Sequence, residues 1–322
     1  MIRYAVIVAT GHPSHTSQLI QDRPPAMLPA IGKPMVVRVA ERLYRSGIRH
    51  FIVIVGLNEG SVASYLKKQW VADAHTEFML EADRESAADL LPRIARKIQE
   101  PFIIASYNSF THENFSSSLL NLHSEHPDHL ILSGARFALT QLSSPYFIKQ
   151  GDANHLEVER TRPKDTSSMV LTEYAVFGTA SLEYLMQLHE TPDHARHFLD
   201  LALAYALQPQ SRKIINETSW VLCVERDEDL LLLNRRLLEE AQDTHILSEL
   251  HQTVRIIPPV RIDPQVTVGQ NAVIGPYVYL ERGSSVGQGA VISNTVVLGR
   301  SSVSAKQTLT NAIVSTRGII SP

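Results

Sequence analysis

The sequence predicts an α/β domain followed by a coil of six-residue repeats, and three observations carry this reading. An apolar, β-branched run at the start opens a series of segments that alternate strand-like and helix-like patterning. Aliphatic residues recur at a strict spacing of six from Ile262 to Leu298. Composition shifts near residue 250: the last 69 residues, from Val254, hold seven of the 15 glycines. That stretch carries six Lys/Arg against two Asp/Glu, although the whole chain of 322 residues has a net charge of −3. The length suits two domains.

Tyr4–Ala9 reads as a buried first strand. Met35, Val36, Val39 and Leu43 recur at helical spacing, so a helix is expected over Met35–Tyr44, with Gly47 at its C-terminal cap. Phe51–Val55 is a second buried strand, which completes a parallel βαβ unit. A helix is expected over Glu59–Lys68, a third strand over Phe102–Ala105 and a fourth over Leu130–Ser133. Thr191 and Pro192 have the form of a helix start, ahead of an apolar face at Phe198, Leu201, Ala202 and Tyr205. Asp227–Glu240 is a final helix, acidic in its first turn and basic later, which suits the helix dipole.

In the tail, Ile262, Val268, Ile274, Leu280, Val286, Ile292 and Leu298 fall on one period, and it continues weakly through Ser304 and Thr310. A second set of small or aliphatic residues lies two positions earlier, from Val260 to Val296. The position after each aliphatic is small or acidic, as in Asp263, Gly269, Gly275, Glu281, Gly287, Ser293 and Gly299. Six residues fit one face of a triangular coil, with the small residue expected to turn the corner at positive φ. The pattern resembles hexapeptide-repeat left-handed parallel β-helices, with about three coils of 18 residues between Val254 and Val314. Many such proteins are acyltransferases with a histidine base, and none follows His251. Stacking and oligomerisation are the expected roles of the coil.

Composition excludes several classes. At 44% hydrophobic and 20% charged residues, the chain has the balance of a folded globular protein. Its charge gives no drive toward nucleic acid or an anionic membrane, and no apolar run approaches a bilayer span. The single Cys223 excludes a disulfide framework and a multi-cysteine metal site. A cytoplasmic location is expected.

The chain resembles the sugar-1-phosphate nucleotidylyltransferases over nearly its whole length. The resemblance is carried by Arg23-Pro-Pro-Ala-Met-Leu-Pro-Ala-Ile-Gly-Lys-Pro34, then Ala40-Glu-Arg-Leu43, Gly47-Ile48 and Val53-Ile-Val-Gly56. Pro101-Phe-Ile-Ile104, Asp229-Leu230 with Asn234, and the coil add to it. It implies a Rossmann-like nucleotidyltransferase domain over 1–240, a linker over 241–253 and a left-handed β-helix over 254–322. It also implies a reaction of nucleoside triphosphate with sugar 1-phosphate that releases pyrophosphate. That chemistry uses a Gly-x-Gly-Thr-Arg phosphate loop, a lysine, and two aspartates that hold Mg²⁺.

At the positions that match, most of these groups are absent. The loop reads Gly11-His12-Pro13-Ser14-His15, with His15 where the arginine would stand. An imidazole cannot reproduce the guanidinium fork, and Pro13 has no N–H to offer a phosphate. Pro25 replaces the lysine, Asn108 the first aspartate and Leu222 the second. Leu80 and Glu85 stand at the base-recognising positions, Thr161-Arg162-Pro163 at the sugar-side cation, and Thr172-Glu173-Tyr174 where a glycine leaves room for sugar. Each lost charge-stabilising group costs about 10²-fold in rate.

The reading is therefore a nucleotidylyltransferase homologue, catalytically impaired, that binds a sugar nucleotide or phosphate in a regulatory or scaffolding role. Gly11, Ser14, His15, Asn108, Arg162 and Glu173 are its candidate ligand contacts, with no metal ligand assigned. A homo-oligomer through the coil, or a hetero-oligomer with an active homologue, is expected. The alternative is an active, Mg²⁺-dependent enzyme whose metal site is rebuilt from acids such as Asp83, Glu85, Glu173 and Glu225. A third reading is a ligand-free oligomer in which Tyr174 and Leu222 fill the pocket. His123, His126 and His129 read as a solvated helix end, His189, His194 and His197 as caps or surface, and Cys223 as a buried strand thiol. Asp152 and Glu157 are expected in a solvated hairpin, and Trp220 as core.

Overall fold

The computed structural model describes residues 2–10, 19, 23–82, 85–143, 145–151, 155–161, 167–240 and 244–321. By backbone proximity the chain forms two compact units, Met1–His12 with Val36–Cys223, and Pro13–Met35 with Val224–Pro322.

In the first unit the chain runs β1 (Tyr4–Val8), α1 (Met35–Arg45), β2 (His50–Gly56), α2 (Gly60–Gln69), β3 (His75–Glu81), α3 (Ala87–Ile98) and β4 (Phe102–Ser106). It continues through β5 (Ser109–Phe110), α4 (Phe115–Glu125), β6 (Leu130–Ala138), the hairpin of β7 (Phe147–Gln150) and β8 (Leu156–Glu159), and β9 (Met169–Phe177). Helices α5 (Thr179–Gln187) and α6 (Phe198–Ala206) and strand β10 (Lys213–Cys223) complete it. The strands form a mixed sheet in the order β3-β2-β1-β4-β9-β6-β10-β5, with β7 and β8 attached at β9. The β1–β2, β2–β3, β1–β4 and β6–β10 pairs are parallel, while β9 runs against both β4 and β6.

β1 is apolar without alternation because both of its faces are covered. One face of the sheet packs on α3, α5 and α6 through Leu90, Leu91, Ile94, Leu182, Phe198 and Leu201. The expected cap at Gly47 is present: φ is +100°, and the Ile48 N–H reaches back to Leu43 O at 3.3 Å.

Three expectations need correction. The helix expected at Thr191–Pro192 begins at Phe198, with His197 as its N-cap; Pro192 instead closes a turn with Ala195. Helix α3 is an addition to the expected elements, since Pro92 lies inside it. Its start is secured by the Ser86–Asp89 capping box. His123 is not solvated: it is the last buried residue of α4, 3% exposed, while His126 ends that helix and His129 bonds Asp128 at 2.7 Å. Cys223 is buried as a thiol, as expected. Glu157 falls in the β7–β8 hairpin, and Asp152 lies outside the described residues.

In the second unit, α7 (Asp227–Glu239) starts at a buried Asp229 whose carboxylate accepts the Arg226 and Glu225 N–H groups at 2.8 and 3.1 Å. One turn on, the Asn234 carboxamide is 1% exposed. Its oxygen accepts the Ile31 N–H at 2.9 Å, and its nitrogen donates to Pro29 O at 3.0 Å and Leu230 O at 2.8 Å. Ile31 is a buried β-branched residue at φ +47°, a strained conformation that needs such support.

The coil is a parallel β-helix, as expected. Val260–Ile262 pairs with Val278–Leu280, 18 residues on, and Val278–Leu280 pairs with Thr295–Val297, 17 on. The repeat therefore loses one residue after Ile292. From there the core passes to Val297, Val303 and Val314 with Leu309 packed against them, rather than to Leu298, Ser304 and Thr310. The shortened corners are held by Asn294 and Asn311, both at positive φ, with the Asn294 amide donating to Asn311 Oδ1 at 2.5 Å. Gly275 turns at φ +109°, as expected, while a further set of turning residues sits two positions later than expected, at Gln265, Asn271, Tyr277, Gly283 and Gly289. Gly269 and Gly287 serve close approach instead: a Cβ on Gly287 would lie 2.4 Å from the Ala305 backbone nitrogen.

Two measurements follow from this packing. Gly287→Ala is expected to lower stability in urea by about 3 kcal/mol, since neighbouring backbone must move; Gly60→Ala, at an open site, is expected to be neutral or mildly stabilising. Burial holds the His123 imidazole below its ordinary pKa, so it folds neutral. Its contribution to stability is present above about pH 6.5 and lost as pH falls below that value. His123→Leu is expected to flatten that part of a stability-against-pH curve.

Candidate functional site

In an open sheet with parallel strands, ligands bind beyond the carboxyl ends of the strands. Here those ends are Val8 of β1, Gly56 of β2 and Ser106 of β4. The strands are tied level: the Ala9 N–H donates to Ile54 O at 2.9 Å, and the Tyr107 N–H to Val8 O at 3.0 Å.

Asn108 lies in the two-residue turn between β4 and β5 and is half-buried. The following residues pair with the end of β10, Ser109 with Cys223 and Phe110 with Leu222. The two positions that the resemblance assigns to metal-holding aspartates thus converge on one corner of the sheet. Leu222 is fully buried there, and Cys223 Sγ lies 3.7 Å from Ser109 Oγ. Tyr174 on β9 faces the same corner, opposite Ala105 of β4. Its hydroxyl donates to Ser109 O at 3.2 Å, and its ring meets Phe115 edge-on at 5.3 Å. Burial pushes the Tyr174 hydroxyl up to about 12, with the Arg42 charge working against that rise. The phenol is therefore a neutral donor at physiological pH. Side chains alternate along a strand, so Glu173 lies on the face opposite Tyr174 and is half-buried.

Arg42 joins this corner without having been among the candidates. It is 7% exposed on α1, donates to Thr111 O at 2.9 Å and lies 5.7 Å from the Phe110 ring centroid. Burial, with help from the Arg42 charge, also lowers the pKa of His112. The signal for Arg42 in the sequence is an arginine on an otherwise apolar helix face, between Val39 and Leu43. Glu59 is a second addition. Buried beyond β2, it accepts the Gly56 N–H at 2.7 Å. A carboxylate three residues after a strand-end glycine is its signal.

The remaining candidates scatter. Pro25 starts a short 3₁₀ turn in the second unit. Leu80 is exposed near the end of β3, and Glu85 pairs with Arg93 at 3.1 Å. Glu225 belongs to the second unit, where its N–H caps α7. Trp220 is half-buried on β10. Gly11, Ser14, His15, Asp83 and Arg162 lie outside the described residues.

The resemblance implies Mg²⁺, and the residues at the matching positions do not fit it. A hard dication needs anionic oxygens; an Asn108 amide and a buried Leu222 offer one neutral oxygen between them. Among the described residues no group of three or more His, Cys, Asp or Glu could hold a metal ion. The described residues also contain no helix long and apolar enough to cross a membrane.

Comparison with known proteins supports the fold of the front part and identifies the tail repeat. Residues 256–322 match the GMPPB C-terminal domain family model. The bifunctional protein GlmU of Symbiobacterium thermophilum is 23% identical over 297 residues, covering 86% of this chain; the chain spans 59% of that relative's length. A putative glucose-1-phosphate thymidylyltransferase from Bacillus anthracis superposes with a TM-score of 0.61 at 15% identity, over 75% of this chain and 96% of that one. A UDP-glucose pyrophosphorylase in complex with UDP-glucose gives a TM-score of 0.61 at 15% identity, over 74% of this chain and all of that one. The front part therefore shares the nucleotidyltransferase fold of these proteins, and the tail matches the repeat of the GMPPB C-terminal domain.

Proposed function

We propose that the protein is a nucleotidylyltransferase homologue that has lost most or all nucleotidyl transfer. It binds a sugar nucleotide or a phosphorylated sugar and regulates or scaffolds an active homologue in the cytoplasm. It assembles with itself or with that homologue through the coil, and neither nucleic acid nor membrane is a partner. One observation carries this reading: where the chemistry needs a second metal-holding carboxylate, Leu222 is fully buried in the sheet. With that charge gone and an amide at Asn108, the two matching positions bring no negative charge to hold the metal of a bound triphosphate. The UDP-glucose pyrophosphorylase that shares the fold was solved with UDP-glucose, which supports a sugar nucleotide as the ligand class.

The same corner favours a second reading, a scaffold without ligand. Tyr174, 1% exposed, fills space that a sugar would need.

Two assays separate these readings. Purified protein is expected to release no pyrophosphate above background from any nucleoside triphosphate and sugar 1-phosphate pair with Mg²⁺; robust release would overturn the proposal in favour of a rebuilt metal site. Thermal unfolding with a panel of nucleotide sugars is expected to shift upward regardless of Mg²⁺, since a ligand at a hundred times its Kd adds about 2.7 kcal/mol. No shift with any ligand would leave the scaffold reading.

A further inference from the structure

Arginines gather at one corner of the last coils. Strand pairing of Leu280 with Val297 and of Ser285 with Ser302 sets Arg300 level with Gly283, so Arg282 stands one position earlier on the adjacent coil. Arg317 lies in the antiparallel hairpin turn between Ser315 and Gly318. Each is in a turn with a left-handed residue: Gly283 at φ +76°, Arg300 itself at +65° and Gly318 at +140°. Stacked coils repeat every ~4.8 Å, so Arg282 and Arg300 belong to neighbouring corners.

A cavity of about 520 Å³ lies beside this corner. Its wall includes Arg282 and Arg300, the Arg23 side chain, and Ser315 and Thr316. Among the described lining residues, Glu281 alone is acidic. Its carboxylate is already engaged: Arg23 donates to its two oxygens at 2.6 and 3.0 Å, and the Gly299 N–H to Oε2 at 2.6 Å. Arg282 Nε donates to a neutral acceptor, Gln265 Oε1, at 2.9 Å. The wall thus carries two guanidinium charges, Arg282 and Arg300, that its one carboxylate does not offset. The volume falls within the range of small-molecule sites. Paired guanidinium groups match phosphate oxygens in geometry and charge.

We propose that this cavity binds a small organic phosphate, its phosphoryl oxygens held by Arg282 and Arg300. The site belongs to the coil-bearing unit and does not depend on the reading of Asn108, Leu222 and Tyr174.

Isothermal titration of the full chain with glucose 1-phosphate and, separately, with inorganic phosphate tests it, at an ionic strength held constant with chloride. Saturable binding of both is expected, tighter for the sugar phosphate. Arg300→Gln and Arg282→Gln are each expected to weaken it about tenfold. Arg136→Gln, an exposed change in the other unit, is expected to leave it unaltered. The proposal fails if neither probe binds saturably up to about 10 mM, a Kd too weak to report a built site. It also fails if folded Arg300→Gln and Arg282→Gln both titrate like the parent, which would place the bound phosphate elsewhere. Equal affinity for the two probes would overturn the assignment to an organic phosphate. Circular dichroism of both variants guards against reading unfolding as lost binding.

Discussion

The buried carboxamide of Asn234 holds together the part of this protein that least resembles regular structure. Residues 29–31 follow neither a helix nor a long strand, and Ile31 sits at a positive φ that a β-branched residue adopts only under constraint. Asn234 supplies the constraint by meeting Ile31 N–H and Pro29 O while staying bonded to its own helix at Leu230 O. Removing it would leave a buried N–H without a partner, a loss of about 1–3 kcal/mol. The same segment is fixed further along. Gly32 lies so close to the Arg261 guanidinium that a Cβ there would come within 2.4 Å of it. Arg261 in turn donates to Asp263 at 2.7 Å, and the buried Tyr279 hydroxyl donates to the other Asp263 oxygen at 2.8 Å. Arg23 on Glu281 adds a further tie, so residues 23–32 are held by α7 at one point and by the coil at another.

The strand-end corner of the first unit is organised on the opposite principle. There the positions that chemistry would charge are occupied by volume. Leu222, Phe110, Phe115 and Tyr174 pack together, and the polar groups that remain, such as Ser109 and Thr140, bond to backbone or to one another's neighbours. The charge that stays is Arg42, buried beneath the corner with a carbonyl as its acceptor. A buried cation disfavours a second cation nearby and raises the penalty for placing a metal there. The sheet keeps the nucleotidyltransferase fold, while this corner holds an amide at Asn108 and a buried Leu222.

The coil shows how a repeat can change length without losing its core. A six-residue face and a five-residue face both place one aliphatic side chain inward, provided that the corner residue tolerates a left-handed turn. Asn294 and Asn311 meet that condition and stack, so both shortened coils stay in register.

Much of this was legible in the sequence. The βαβ opening, the cap at Gly47, the buried Cys223, α7 and the β-helix all follow from local patterning, because period, caps and turn chemistry act over a few residues. The neutral side chains at Pro25, Asn108 and Leu222 are also matters of residue identity, and identity needs no fold to be read. Tertiary structure decided the rest. Helix α3 forms despite Pro92 because one whole face of it is buried. His123 is a core residue because it falls on the buried face of α4 with Phe115 and Leu119, which the spacing of three histidines cannot reveal. The burial of Arg42, the one-residue slip after Ile292 and the grip of Asn234 on Ile31 each join residues far apart in the chain. Local sequence sets which conformations a segment can adopt; long-range burial and hydrogen bonding choose among them, and here they also determine which side chains reach the candidate sites.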